Sequence, residues 1–211
     1  MHATIRLATA ADAAPIAAIY APFCGPDSVV SFETAPPTPA EMAARIARTT
    51  TAFPWLVAED ASGVRGYVYA GRHRERAAYR WAVDVTAYLR PDSRGQGLGT
   101  ALYTVLFDVL RAQGYFKAYA GITLPNPASV GLHSALGFKQ VGVYHGVGYK
   151  AGAWRDVSWW EFPLQPEVPN PPEPGPLPVV LDTPAWSGAL AAGNARLAAG
   201  ARRAVAAPTP A

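Results

Sequence analysis

Residues 82–100 read Ala82-Val83-Asp84-Val85-Thr86-Ala87-Tyr88-Leu89-Arg90-Pro91-Asp92-Ser93-Arg94-Gly95-Gln96-Gly97-Leu98-Gly99-Thr100. Tyr79–Leu89 alternates as a strand does, Pro91 interrupts it, and Gly95, Gly97 and Gly99 open a helical pattern that runs from Gly97 to Gln113. Gly114 is a left-handed stop for that helix. Small residues let a backbone approach a ligand closely, and the free N–H groups of a first helical turn attract anions. Arg94 adds a full positive charge to the same loop. A tight turn with no ligand would use the same glycines. A nucleoside-triphosphate loop needs Gly-Lys-Ser/Thr, and no lysine precedes Lys117. A dinucleotide fingerprint needs a third small residue where Thr100 stands and an acid about twenty positions on, where Gly114 to Ala120 supplies none.

Outward from this segment, the chain alternates between the two periods. Thr4–Leu7 reads as a strand, Thr9 as a cap, and about Asp12 to Phe23 as a helix with Ile16, Ile19 and Tyr20 on one face. Gly25–Pro39 is a loop, and Thr38-Pro39-Ala40-Glu41 starts a second helix that runs to about Arg48. Trp55–Glu59 and Arg65–Ala70 form a hairpin across Gly63. After the long helix come a strand at Ala118–Thr123, a helix at Pro127–Leu136 stopped by Gly137, and strands at Lys139–His145 and Val157–Phe162. Residues 163–178 hold eight prolines, which exclude regular structure there. Residues 185–206 are alanine-rich with few large apolar side chains. The reading is one domain over 1–165 and a Pro/Ala-rich tail over 166–211, disordered or loosely docked.

Half of the 211 residues are hydrophobic, enough for one real core. The single cysteine, Cys24, forms no internal disulfide, and Arg6 and Asp12 interrupt any leader-like start. No run of about 18 apolar residues occurs, so no membrane span is expected and the expectation is a cytoplasmic protein. The net charge of +3 is too small to argue for nucleic acid. Arg65, Arg72, Arg74, Arg76, Arg80, Arg90 and Arg94 nevertheless crowd one stretch, either a solvated face or a site for something anionic. Four histidines and one cysteine show no ligand spacing, so no metal is expected.

Arg94-x-x-Gly97-x-Gly99 after a strand resembles the pyrophosphate loop of the GNAT superfamily of N-acetyltransferases. Asn126-x-x-Ser129-x-x-x-His133 and Leu136-Gly137-Phe138 resemble that family's next helix. The resemblance implies an α/β fold with a mixed, mostly antiparallel sheet of about seven strands flanked by helices. It implies acetyl-CoA as cosubstrate, held by Ala87, Tyr88 and Leu89 on the strand, by Arg94, Gly95, Gln96, Gly97, Leu98, Gly99 and Thr100 on the loop, and by Asn126 and Ser129. Further blocks are similar to the phosphinothricin and methionine sulfoximine N-acetyltransferases: Ser31-Phe32-Glu33-Thr34, Pro54–Glu59, Ala78-Tyr79-Arg80-Trp81, Leu124-Pro125-Asn126, and Gly148 to Val157. Together they cover about residues 4–163. By this resemblance the substrate is a small amino-acid-like amine contacted by Phe32, Arg74, Arg76, Tyr79 and Thr86, the catalytic pair is Asp84 and His133, and the protein is a homodimer. The relatives usually carry glutamate at the position of Asp84, and the herbicide-resistance enzymes carry lysine at the position of Arg74.

Acetyl transfer to an amine needs a held thioester, a deprotonated nitrogen and stabilised charge at oxygen and sulfur. Asp84 lies within Trp81-Ala82-Val83-Asp84-Val85, where a carboxylate is costly unless paired or in use. It is either the base or the partner of a nearby arginine. His133 can exchange a proton near neutral pH or serve structure alone. His73 and His145 lack such context and read as surface residues, while Trp154, Trp159 and Trp160 read as core or dimer interface. Two other classes remain open, a non-catalytic acyl-CoA-binding module and a protein or peptide N-acetyltransferase.

Overall fold

The structure, a computed structural model, describes residues 3–206. Strands β1 (Thr4–Leu7), β2 (Trp55–Asp60), β3 (Gly63–Arg72), β4 (Ala82–Leu89), β5 (Lys117–Thr123), β6 (Lys139–Lys150) and β7 (Ala153–Pro163) form one sheet in the order β1-β2-β3-β4-β5-β7-β6. Every neighbouring pair is antiparallel except β4 and β5. The expected mixed seven-stranded sheet is therefore present.

Strand periodicity decides which helix covers which face. On β2, Leu56 and Ala58 point into the core built around helix α3 (Leu98–Gln113), while Trp55 and Val57 point to the opposite face. There they meet Ile16, Ile19 and Tyr20 of helix α1 (Ala13–Cys24) and Met42 and Ile46 of helix α2 (Pro39–Thr50). Thr38 caps α2 as its sequence indicates: Thr38 Oγ1 accepts from the Glu41 amide at 3.2 Å and Glu41 Oε2 accepts from the Thr38 amide at 2.7 Å. Helix α4 (Pro127–Leu136) is capped by Asn126, whose Oδ1 accepts from the Ser129 amide at 3.1 Å. Gly114 and Gly137 end their helices at φ +94°.

Strands β6 and β7 run longer than the alternation alone indicated. A turn at Ala151-Gly152 lets them pair from Lys139↔Glu161 to Lys150↔Ala153. Tyr79, expected to begin a strand, closes a short 3-10 turn over Ala77–Tyr79 instead.

The largest difference lies in the tail. It is docked through several buried residues rather than loose, and it contains helix α5 (Pro184–Ala206). Gln113 Nε2 donates to the carbonyls of Ala52 and Gly175, the Gly175 amide returns a bond to the Gln113 carbonyl, and the Leu177 amide donates to Ala52. Leu177, Val180, Ala189 and Leu197 are buried in the α3 core. Asn194 Oδ1 accepts from the Ile5 amide at 2.8 Å, fastening α5 to β1. Between β7 and a short 3-10 turn at Leu177–Val179 the proline-rich segment has no helix or strand, and it routes the chain across the α3 face rather than away from it.

Candidate active site

The site is created by a failure of pairing. Parallel strands β4 and β5 are registered only through Ala82↔Lys117, Val83↔Ala118 and Asp84↔Tyr119. Beyond Asp84 and Tyr119 they part, and Val85–Leu89 and Ala120–Thr123 line the gap. A cavity of about 440 Å³ occupies it and reaches the glycine loop and α4. On one edge β4 is hydrogen-bonded to β3, so the edge facing the gap has main-chain groups free for a ligand.

At the far end the loop turns into α3. Gly95 and Gly97 stand at φ +72° and +79°, and a Cβ on either would meet nothing within 4 Å, so both are required by conformation rather than by crowding. Gly97 is the residue before α3, with no side chain to cap the first turn, so the amides of Leu98, Gly99 and Thr100 lack helical acceptors. At Gly99 the reason is space, since a Cβ would lie 3.1 Å from Leu132 of α4. Arg94 lies over the Phe23 ring at 5.8 Å and forms no ion pair among the described residues. This cradle suits a phosphate-bearing ligand, and the long gap beside β4 suits a narrow amide-containing arm. Of the residues expected to hold the cosubstrate, all but Gln96 line the cavity. Gln96 instead donates from Nε2 to the Asp92 carbonyl at 2.7 Å, bracing the loop from outside.

Asp84 and His133 are not brought together as a pair. Asp84 sits at the apex of the gap, where Oδ1 is 2.6 Å from Nδ1 of His73. Burial pushes its carboxyl above the usual carboxylate range, and the bond to His73 and the nearby Arg74 guanidinium draw it part of the way back. Its partner is thus a histidine, not one of the arginines.

His133 lines the cavity but is 5% exposed, with both ring nitrogens engaged. Nδ1 lies 2.8 Å from the Ser129 carbonyl, which only accepts, so Nδ1 carries the hydrogen and Nε2 accepts from the Tyr103 hydroxyl at 3.0 Å. Burial also lowers its proton affinity below the usual histidine range. With both nitrogens so engaged, the imidazole is held in a fixed orientation. It ties α4 to α3.

The acceptor residues scatter more widely. Thr86 lines the cavity, on the same face of β4 as Asp84. Tyr79 is exposed, its ring edge-on to His73 at 6.0 Å. Arg74 lies over Trp159 at 5.4 Å, and Arg76 is exposed. Phe32, on the loop between α1 and α2, lies against Gly148 of β6, where an added Cβ would come within 2.4 Å of its ring.

Two functional-looking residues escaped the sequence reading. His73 was expected at the surface, yet its side chain is 12% exposed and stacks on Tyr119 at 4.4 Å. The available signal was register: extending β3 past Ala70 carries it past the Gly71↔Asp84 pair and brings His73 to the side of β4. Lys150 is buried, its Nζ donating to the carbonyls of Ser31 and Glu33 at 2.6 and 2.7 Å and to Phe23 and Cys24 at 3.3 Å. It fixes the α1–α2 loop to the end of β6.

A sheet parted beside a glycine loop that opens a helix is the architecture of an acyl-CoA-dependent transferase. Residues 5–159 match the acetyltransferase (GNAT) domain family, and the chain belongs to it. A phosphinothricin N-acetyltransferase of Streptomyces viridochromogenes is 42% identical over 170 residues, covering 81% of this chain and 91% of that one. An L-methionine sulfoximine/L-methionine sulfone acetyltransferase of Pseudomonas aeruginosa is 39% identical over 171 residues, covering 79% and 97%. The crystal structure of a phosphinothricin acetyltransferase from Sinorhizobium meliloti in complex with AcCoA superposes with a TM-score of 0.76 at 39% identity, covering 82% of this chain and 95% of that one.

Proposed function

We propose that this chain moves the acetyl group of acetyl-CoA to the α-amino group of a small amino acid or analogue, by direct transfer in a ternary complex. The observation that carries the reading is the gap between β4 and β5, with a phosphate cradle at one end and, at the other, the last joined pair Asp84↔Tyr119. The amides of Leu98, Gly99 and Thr100 and the Arg94 guanidinium hold the pyrophosphate. The free edge of Ala87–Leu89 holds the pantetheine arm, and Asn126 and Ser129 border it from α4. The thioester then lies near the apex, and Asp84 serves the incoming amine. A free α-amine titrates near pH 8 (about 7.7–8.0), so the base needed is a modest one. Arg74 and Arg76 recognise the acid group of the acceptor, and Phe32, Tyr79 and Thr86 shape its pocket.

Thiol release from acetyl-CoA, measured over a panel containing phosphinothricin, methionine sulfoximine and the common amino acids, tests the reading. Turnover of at least one free amino acid or analogue is expected. Tight CoA binding with no turnover would favour a binding module, and acetylation of peptides alone would favour a peptide acetyltransferase.

The protein acts as a homodimer through the β6–β7 end of the sheet. Tyr149 and Trp154 there are 63% and 69% exposed, and Val141, Tyr144 and Val147 extend the apolar strip along the edge strand. Sedimentation equilibrium should give twice the chain mass, and Trp154→Glu should reduce it to one. No helix among the described residues is long and apolar enough to cross a membrane, and a cytoplasmic location suits a chain supplied with acetyl-CoA.

A further inference from the structure

We propose that His73 is the group that takes the proton from the acceptor amine, with Asp84 as the carboxylate that orients it; this rests on the acetyl-transfer reading above. His73 is the residue after β3, and the final β3–β4 pairs bring it beside Asp84, at the last point where β4 and β5 are still joined. With Asp84 ionised, the 2.6 Å contact is donated by Nδ1, and in the neutral ring this leaves a lone pair on Nε2. Nε2 has no hydrogen-bond partner among the described residues and is not among the buried unpartnered atoms, so it is accessible to a ligand. The ring cannot swing away easily: Tyr119 stacks on it at 4.4 Å and 18°, and Tyr79 and Trp159 stand edge-on, each at 6.0 Å. Its setting is that of an oriented base, a carboxylate fixing both tautomer and direction.

The charged and titratable groups facing the dyad are Arg74 on the same loop, Tyr79 on the following turn and Tyr119 on β5; Trp159 closes the β7 side. Glu161, Lys117 and Glu167 are the other charged groups near Tyr119.

In the reaction Nε2 accepts one proton from the substrate ammonium, and the freed lone pair forms the C–N bond to the thioester carbonyl carbon. As the C–S bond breaks, sulfur leaves with its electron pair and takes the second proton from nitrogen. The proton held on Nε2 passes to bulk water. The products are the amide, the thiol and one proton. Oδ1 of Asp84 is already engaged by His73.

The test compares His73→Gln, His73→Phe and Asp84→Asn with the unaltered chain, using phosphinothricin and methionine sulfoximine as acceptors and CoA affinity as the check of folding. His73→Phe should lower kcat by about 10²–10⁴ with CoA affinity retained, and part of the loss should return at high pH or with added imidazole. Nitrogen NMR of His73, which needs no acceptor, should report the Nδ1–H tautomer, and that preference should be lost in Asp84→Asn. Near-normal turnover in His73→Phe beside a crippled Asp84→Asn would overturn the proposal, as would an Nε2–H tautomer or a tautomer unchanged in Asp84→Asn. Absence of turnover in the unaltered chain would instead count against acetyl transfer, and the NMR result alone would then decide the dyad.

Discussion

At the scale of single residues, two positions separate ligand binding from stability. Gly97 has open space around it but a φ of +79°. A β-branched residue there must adopt a left-handed conformation at a cost of roughly 1–2 kcal/mol or move the loop. Because the loop can relax outward, the loss should appear in the ligand cradle before it appears in the fold. Titration calorimetry of Gly97→Val with CoA should show affinity lower by at least tenfold, about 1.4 kcal/mol. Tyr103 is the opposite kind of residue, fully buried, its hydroxyl bonded to His133. Tyr103→Phe leaves Nε2 of a buried histidine without its donor, and the melting temperature should fall by the equivalent of roughly 1–3 kcal/mol. His133 also makes stability depend on pH. Its folded proton affinity is depressed, whereas an unfolded histidine titrates near pH ~6.5. The unfolded chain therefore binds the proton first: this site's contribution is complete above pH ~6.5 and is lost as pH falls from there toward the folded value. A His133→Gln chain should show a flatter melting curve just below pH ~6.5, and an unchanged slope would mean that His133 is not the group responsible.

At the scale of elements, what was legible in the sequence follows from where local chemistry acts alone. The glycine loop, the capped start of α2, and the left-handed stops at Gly114 and Gly137 are set by backbone geometry within a few residues, and all were readable. The His73–Asp84 contact and the Lys150 anchor arise between segments 11 and more than 100 positions apart, and depend on strand register. A lysine in a late strand carries no local sign that it will meet the carbonyls of a distant loop. The Lys150 arrangement predicts a coupled effect. Lys150→Met keeps the length of the chain but removes every donor from the carbonyls of Phe23, Cys24, Ser31 and Glu33. Stability should drop by roughly 1–3 kcal/mol. Since Phe32 rides on the same loop, the acceptor KM should rise while CoA affinity stays near its original value. If both affinities change equally, the loop does not belong to the acceptor pocket.

At the scale of the whole molecule, the tail reverses a natural expectation. Counting large apolar side chains over 185–206 finds few, and a polar or alanine-rich segment with few anchors reads as loose. The docking of α5 depends instead on small residues. Ala189, Gly193, Leu197 and Gly200 recur at helical spacing, and they let the α5 backbone lie almost on its neighbours. A Cβ on Gly193 would come within 2.2 Å of Val105 Cγ2 and 3.1 Å of Ile5 Cδ1, and one on Gly200 would come within 3.0 Å of the Gln96 carbonyl oxygen. The first contact seats the helix on α3 and β1, and the second places it against the back of the glycine loop. Removing everything after residue 165 would therefore uncover the α3 face, and burial of Leu177, Val180 and Leu197 is worth about 1.5–3 kcal/mol each before chain entropy is subtracted. Gly193→Leu tests this without shortening the chain. Its side chain has nowhere to go, so α5 must lift from α3 while every residue of the first 165 is unchanged. Hydrogen exchange should then accelerate in α5 and along the α3 amides that face it, the melting temperature should fall, and CoA affinity should weaken through the lost support at Gln96. Gly188→Leu is the control, because a Cβ at Gly188 meets nothing within 4 Å. A Gly193→Leu protein with normal melting and normal exchange in α3 would show that the tail contributes nothing to the fold it covers.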